Sequence, residues 1–230
     1  MSRLTIAIDG PSGSGKSTLG KRVAKILGYL YIDTGAMYRA VAWQARQSGV
    51  ALDDEAGLAR LAEAMEIQLQ NAPAGVRVLV DGQDVTAEIR LPAVAQGASR
   101  VSALPSVRRV LVRRQQALGR SGGVVMDGRD IGTVVFPGAE VKIFLDASET
   151  ERARRRHLED LQRGLASDPA ATLEEIRQRD ARDRNRLDSP LVCAADAVYL
   201  DTSGKDIETV FGEIMAIVRR RQAADVHRDR

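Results

Sequence analysis

The sequence predicts an α/β fold: a five-stranded parallel sheet flanked by helices, interrupted by an insertion that contains an antiparallel hairpin. Three observations carry this. Five short apolar runs, 4–9, 29–33, 124–127, 141–146 and 197–201, each end in Asp, as buried parallel strands with polar C-terminal tips do. Segments of helical spacing stand between most of them. Between the second and third runs the apolar period drops to two residues, the mark of half-buried antiparallel strands.

The elements follow in order. Residues 4–9 read as a strand, then a Gly/Ser-rich turn, then a helix with Leu19, Val23, Ile26 and Leu27 on one face, closed by Gly28. A second strand, 29–33, precedes a helix over 36–48 that stops at Gly49. The alternation at Glu66-Ile67-Gln68-Leu69-Gln70 and again over 76–85 around Asp81-Gly82 predicts a hairpin. Helical stretches over 91–104 and 105–119 complete an insertion of about 58–120. Further on, Ser148-Glu149-Thr150-Glu151 and Thr172-Leu173-Glu174-Glu175 match capping boxes. The last helix shows Ile207, Val210, Phe211, Ile214, Ile217 and Val218 at helical spacing, with Arg219 to Arg221 where a C-terminus favours cations.

Composition bounds the function. A chain of 230 residues, 44% hydrophobic and 28% charged, can bury one sizeable core. Its longest uncharged run, 67–76, is ten residues, against the roughly 20 needed to span a bilayer. Residues 1–6 lack the apolar segment of a secretory signal. The single Cys193 cannot form an internal disulfide and reads as a small buried apolar residue; together these predict a cytoplasmic protein with no membrane partner. His157 and His227 have no constellation around them and read as surface residues. The formal net charge is +3, yet all but five of the 34 basic residues are Arg, the side chain suited to bidentate recognition of phosphate or carboxylate.

One motif is specific. Gly10-Pro11-Ser12-Gly13-Ser14-Gly15-Lys16-Ser17 satisfies G-x-x-x-x-G-K-[ST] directly after a strand and before a helix, the context of a triphosphate-binding loop. Its glycines let backbone N–H groups turn toward a polyanion, Lys16 reaches the β- and γ-phosphates, and Ser17 offers a hydroxyl to Mg²⁺. Asp127, at the end of an apolar strand, can hold that ion through water. No guanine-reading N-K-x-D segment is present, and aromatic residues, which a single-strand nucleic-acid binder would need, are 3% of the chain. A small kinase is the reading that remains. A phosphate-monoester acceptor is already an anion near neutral pH and needs no base, only fixed cations to align two polyanions. Arg39, Arg129 and the Arg/Asp run 177–186 follow strand ends, where ligands bind in open α/β sheets, and so favour that acceptor. A hydroxyl acceptor served by a carboxylate base stays open, as does a nucleotide-dependent RNA binder suggested by a pI near 9.2.

Four segments carry a resemblance: Ile8-Asp9-Gly10-Pro11-Ser12-Gly13-Ser14-Gly15-Lys16-Ser17; Asp33-Thr34-Gly35-Ala36-Met37-Tyr38-Arg39; Asp127-Gly128-Arg129-Asp130-Ile131-Gly132-Thr133; and Arg179-Asp180-Ala181-Arg182-Asp183-Arg184-Asn185-Arg186. In order and spacing the chain resembles the bacterial cytidylate kinases. The resemblance implies a P-loop kinase core (1–57, 121–150, 188–230), a monophosphate-binding insertion (58–120) and a helical lid (151–187). It implies ATP with Mg²⁺ as donor, CMP and dCMP as acceptors, no nucleic-acid partner and a monomer. By the same resemblance Gly10, Ser12, Gly13, Ser14, Gly15, Lys16, Ser17 and Thr18 would hold ATP. Arg39, Arg129 and Arg186 would grip the acceptor phosphate, Arg179 and Asp183 would meet the sugar, and Lys16, Arg129, Arg179 and Arg186 would act in catalysis. Ser99, Arg108 and Asp130 would read the cytosine edge, and Thr34 would stand in substrate contact where many relatives carry Ser. On sequence alone Ser99 is an ordinary helix residue and Arg108 part of a basic face with Arg109, Arg113 and Arg114.

Overall fold

The computed structural model describes residues 3–72 and 75–228; the side chains of Asn71 and of 225–228, His227 among them, lie outside the described residues. The main sheet has the order β2-β6-β1-β7-β8, formed by β1 (Thr5–Asp9), β2 (Leu30–Asp33), β6 (Val124–Gly128), β7 (Val141–Asp146) and β8 (Val198–Asp201), and every pairing in it is parallel. Each strand lies within a residue of its apolar run. β1 is central: Ile6, Ala7 and Ile8 are fully buried, as a parallel strand covered on both faces requires. β8 departs from expectation, because it is parallel but is an edge, and Val198 and Tyr199 stand exposed.

The helices that cover the sheet obey local capping chemistry. α1 (Lys16–Leu27) ends at Gly28 in the left-handed conformation, as its sequence predicted, although Ile26 points to solvent while Leu19 and Val23 are buried. α2 (Thr34–Gln47) starts two residues before its expected position because the Asp33 side chain accepts from the Ala36 N–H, making the last strand residue its cap. Next in the chain, α3 (Glu55–Ala64), capped by Asp54, is a helix that the sequence pattern did not separate. A small antiparallel sheet of β3 (Ile67–Ala72), β4 (Gly75–Val80) and β5 (Gln83–Asp84) follows, with Asp81 and Gly82 both at positive φ as a two-residue primed turn demands. Then come α4 (Pro92–Val101) and α5 (Pro105–Gly119), each with Pro in its first turn.

α6 (Glu149–Gln162) and α7 (Pro169–Asn185) pack against each other beyond β7. Ser148 caps α6 through the Glu151 N–H, but Glu151 turns to Arg154 and Arg155 instead of back to Ser148, so only half of the box forms. The second box is absent: α7 begins at Pro169 under Asp168, and Thr172 lies inside the helix. Asp168 competes successfully because it precedes Pro169, which suits the first helical position. α8 (Ile207–Arg228) closes the chain over α1 and β7, with Val210, Ile214 and Val218 buried. Cys193 is exposed, contrary to the burial its composition suggested, since it lies in an irregular segment between α7 and β8. His157 is half-buried against Ser167. No helix among the described residues is long and apolar enough to cross a membrane.

Candidate active site

The C-terminal ends of β1, β2, β6 and β7 open on one side into a cleft of about 880 Å³. Its floor is the loop that leaves β1. Gly10 adopts φ +145°, and a Cβ there would come within 1.9 Å of the Leu145 carbonyl oxygen, so the loop can lie against β7 only without a side chain. Gly13 and Gly15 are also at positive φ, and α1 begins at Lys16. The Lys16 ammonium is buried and donates to the Pro11 carbonyl at 2.5 Å and to the Ser14 hydroxyl at 3.2 Å. Burial, then the charge of Arg129, pushes it well below the ordinary lysine value, and an anion beside it would favour its charged form.

Beside it, Ser17 Oγ donates to Asp127 at 2.6 Å, and the Thr34 hydroxyl donates to the Asp127 carbonyl at 2.7 Å. Burial first, then the charge of Asp33, raises Asp127 to about 6. No group of three or more metal-ligating side chains exists among the described residues. A hydroxyl and a carboxylate at this spacing fit Mg²⁺, which binds through one or two protein oxygens, substrate phosphates and water.

Arginines converge on the same cleft. Arg39, Arg108, Arg129, Arg179 and Arg186 all line the cleft, four of them far apart in sequence. Four of them are held by a carboxylate or carbonyl: Arg39 by Asp33 at 2.8 Å, Arg129 by Asp183 at 2.8 Å, Arg186 by the Ser189 carbonyl at 2.6 Å, and Arg108 by Asp130 with Tyr38 behind it at 3.2 Å. Spare donor capacity remains. Among the described residues, Nε of Arg39, Arg108 and Arg179 and Nη2 of Arg186 are buried without a hydrogen-bond partner, a state that costs free energy unless a ligand supplies acceptors. Burial, then the neighbouring charge of Arg129, lowers Arg179 to about 10. Arg179 is therefore the guanidinium there with the least compensation by carboxylates, whereas, against burial, Asp130 and Asp183 shift Arg108 and Arg129 upward.

Of the residues expected to form the site, the structure gathers Ser12, Gly13, Ser14, Gly15, Lys16, Ser17, Thr18, Thr34, Arg39, Arg108, Asp127, Arg129, Asp130, Arg179, Asp183 and Arg186 around this cleft. Gly10 lies beneath it. Ser99 does not line it: the hydroxyl is buried and accepts from Arg182 Nε at 3.1 Å, bridging α4 and α7. Arg108 is not part of an exposed basic face but is 1% exposed and turned inward, whereas Arg113 pairs with Glu63 at the surface. The Arg179 and Asp183 side chains stay 4.0 Å apart, consistent with the poor orientation of that pair for helix support, and Arg186 is an extended C-cap rather than a helical residue.

Sequence reasoning missed two supports. Asp9 accepts from the Ile131 and Gly132 N–H groups at 2.8 and 2.7 Å and so anchors the turn carrying Arg129 and Asp130 to the start of the phosphate loop. Arg152 and Asp180 form an ion pair with both side chains 1% exposed. Asp9 was legible as the residue before the glycine motif, but Arg152 sits among Arg154, Arg155 and Arg156 with nothing to single it out.

The chain is similar to several known proteins. The family model described as Cytidylate kinase matches residues 6–220. The chain is 53% identical over 219 residues to the cytidylate kinase of Geobacillus kaustophilus, covering 95% of this chain and 98% of that protein. It is 53% identical over 214 residues to that of Pelotomaculum thermopropionicum, covering 93% and 95%. It is also 50% identical over 228 residues to a bifunctional pantoate ligase/cytidylate kinase of Synechococcus elongatus, 97% of this chain but 43% of that longer protein. Among solved structures, an uncharacterized protein from Eubacterium ventriosum shares the fold, with a TM-score of 0.53 at 12% identity over 95% of this chain and 99% of the other.

Proposed function

This chain belongs to the cytidylate kinase family, and from that premise we propose how its cleft works on its nucleotides. The enzyme transfers the γ-phosphate of ATP to CMP, giving ADP and CDP; we propose dCMP as a second acceptor. The observation that supports the assignment of residues is the set of buried guanidinium donors in the cleft that Lys16 also lines, donors without hydrogen-bond partners among the described residues.

In the proposed mechanism the loop from Gly10 to Thr18 binds the ATP phosphates, with backbone N–H groups and the start of α1 facing the anion. Lys16 neutralises the β- and γ-phosphates. Ser17 and Asp127, through water, would hold Mg²⁺, which when bound offsets charge on the phosphates. Arg39, Arg129 and Arg186 hold the acceptor phosphate in line, and Arg179 lies between the two nucleotides. An acceptor phosphate oxygen attacks Pγ while the bond from Pγ to the ADP oxygen breaks. No proton has to be removed first, so alignment and neutralisation do the work.

The base is read by Asp130 and Arg108. The cytosine exocyclic amine donates to the Asp130 carboxylate, and its ring acceptors face Arg108. Uracil carries the reverse pattern, which a buried carboxylate rejects. Arg179 and Asp183 meet the sugar, with Thr34 at the edge. For Ser99 the assignment to the base rests on the family resemblance alone, since its hydroxyl is engaged by Arg182. We assign 58–120 to acceptor binding, 151–187 to a lid and the remainder to the core, in a cytoplasmic monomer without nucleic-acid or membrane partners. Measuring ADP release with CMP, dCMP, UMP and AMP tests the reading; equal rates with UMP and CMP would overturn the base assignment.

A further inference from the structure

The Arg152–Asp180 pair has no role in the reaction as described so far. Arg152, in the first turn of α6, donates from Nε to the Ala147 carbonyl at 2.9 Å and from Nη1 to the Ser12 carbonyl at 3.0 Å, and the same Nη1 lies 2.6 Å from Asp180 Oδ2. One guanidinium thus touches the end of β7, the phosphate loop and α7. Apart from this ion pair, neither Asp180 oxygen has a hydrogen-bond partner among the described residues. The contact is close in the backbone as well, since a Cβ on Gly13 would come within 2.9 Å of the Arg152 carbonyl oxygen.

Fold stability is a weak reason to keep such a pair, because well-packed apolar residues of similar volume serve as well or better. Its position suggests another. Asp180 is the neighbour of Arg179 and lies three residues before Asp183, on a helix stiff enough that fixing one fixes the others. We propose that Arg152 and Asp180 are a positioning pair that latches α7 to the phosphate loop, so that Arg179 is held over the transferring phosphoryl group and water is kept away from it. The pair touches no substrate; it acts through Ser12 and Arg179. This rests on the kinase reading above.

With the latch broken, water competes with CMP. In that side reaction a water oxygen bonds to Pγ as the bond from Pγ to the ADP oxygen breaks, releasing ADP, inorganic phosphate and a proton. The experiment measures ADP, CDP and phosphate together, with ATP, Mg²⁺ and CMP, for the wild type and for Asp180→Asn, Arg152→Lys and the paired change Arg152→Met with Asp180→Leu. Asp180→Asn removes the charge pair and Arg152→Lys removes the fork to Ser12 and Ala147. Each is expected to lower kcat for CDP about 10- to 100-fold, the scale of a misplacement near 1 Å, and to raise the ratio of ADP to CDP well above the wild-type value of one. The paired apolar variant is expected to melt as high as the wild type yet to keep the low kcat and the raised ratio. Wild-type kcat and a ratio of one in the paired variant would overturn the proposal even if the single variants fold poorly. A wild type that makes no CDP would instead overturn the kinase reading.

Discussion

Arg129 and Asp183 are 54 residues apart in the chain, and their side chains meet at 2.8 Å. The first leaves the end of β6 and the second lies on α7, so the ion pair joins the acceptor side of the cleft to the helix beyond it. Against burial, which would raise it, Arg129 and then Arg179 hold the Asp183 carboxyl below its usual range. A carboxylate therefore already occupies one edge of a guanidinium that lines the cleft, and its Nη1 donates to the Gly128 carbonyl at 3.2 Å. Replacing or sharing that contact is what an acceptor phosphate has to do.

Arg129→Ala should lower kcat/KM for CMP by about 10² to 10³, the scale for removing a fixed donor to developing charge. The fold should persist but with a clear loss of Tm, since the buried Asp183 carboxylate loses its closest cation and keeps Arg179 at 4.0 Å and the charge of Arg186. Steady-state kinetics beside a thermal melt checks it. Unchanged kcat/KM would remove Arg129 from the acceptor site.

Asp130→Asn should narrow the preference for CMP over UMP. An amide can donate to the uracil O4, whereas the carboxylate, paired with Arg108, only accepts. The ratio of kcat/KM values should fall roughly 5- to 30-fold, the value of about one to two kcal/mol of selective hydrogen bonding. A ratio that stays at its wild-type value would place base discrimination elsewhere.

Gly10→Ala should destabilise the protein more than a typical surface change. The added methyl would meet the Leu145 carbonyl, and φ of +145° is open to glycine alone. A cost of about 3 kcal/mol corresponds to a fall in Tm of roughly 6 to 12 °C for a chain of this size. A melt within 2 °C of the wild type would show that the loop relaxes around the methyl.

Much of this was legible before any coordinates, and the parts that were not share a cause. β1, the glycine motif and α1 follow from a local pattern whose period and turn chemistry have one solution. The five strand positions are visible for the same reason. Their order, β2-β6-β1-β7-β8, is not local and brings Asp127 to Ser17 across 110 residues. The side on which a helical Arg lies is also set by tertiary contact. Arg108 and Arg109 are neighbours in sequence, yet the first is buried on Asp130 and the second is exposed beside Ser106. Thr172 matched a capping box whose role Asp168 took, because local hydrogen-bond motifs compete and the sequence pattern does not rank them.

Chelation by EDTA should abolish CDP formation while leaving the nucleotide-free Tm unchanged. Among the described residues no three ligating side chains converge, so the ion would be held largely by the nucleotide. A marked drop in Tm on chelation without nucleotide would point to a structural metal instead.

Asp9 provides the last prediction, and it separates activity from stability along the pH scale. Burial raises its carboxyl from 3.8 to about 6, partly countered by the Gly132 and Ile131 N–H groups. A raised carboxyl binds its proton more tightly folded than unfolded. Its contribution to stability is therefore fully present below 3.8 and is lost as pH rises through about 6. Activity runs the other way, because only the ionised carboxylate can accept from both N–H groups and hold the turn that carries Arg129 and Asp130. The kcat at saturating CMP should accordingly rise with pH through about 6. Asp9→Asn, which can accept through one oxygen alone, should show a lower plateau and a shallower rise in that window. Saturation limits the part played by the ionisation of CMP itself, which titrates nearby. A variant profile parallel to the wild type would mean that some other group controls the acid limb.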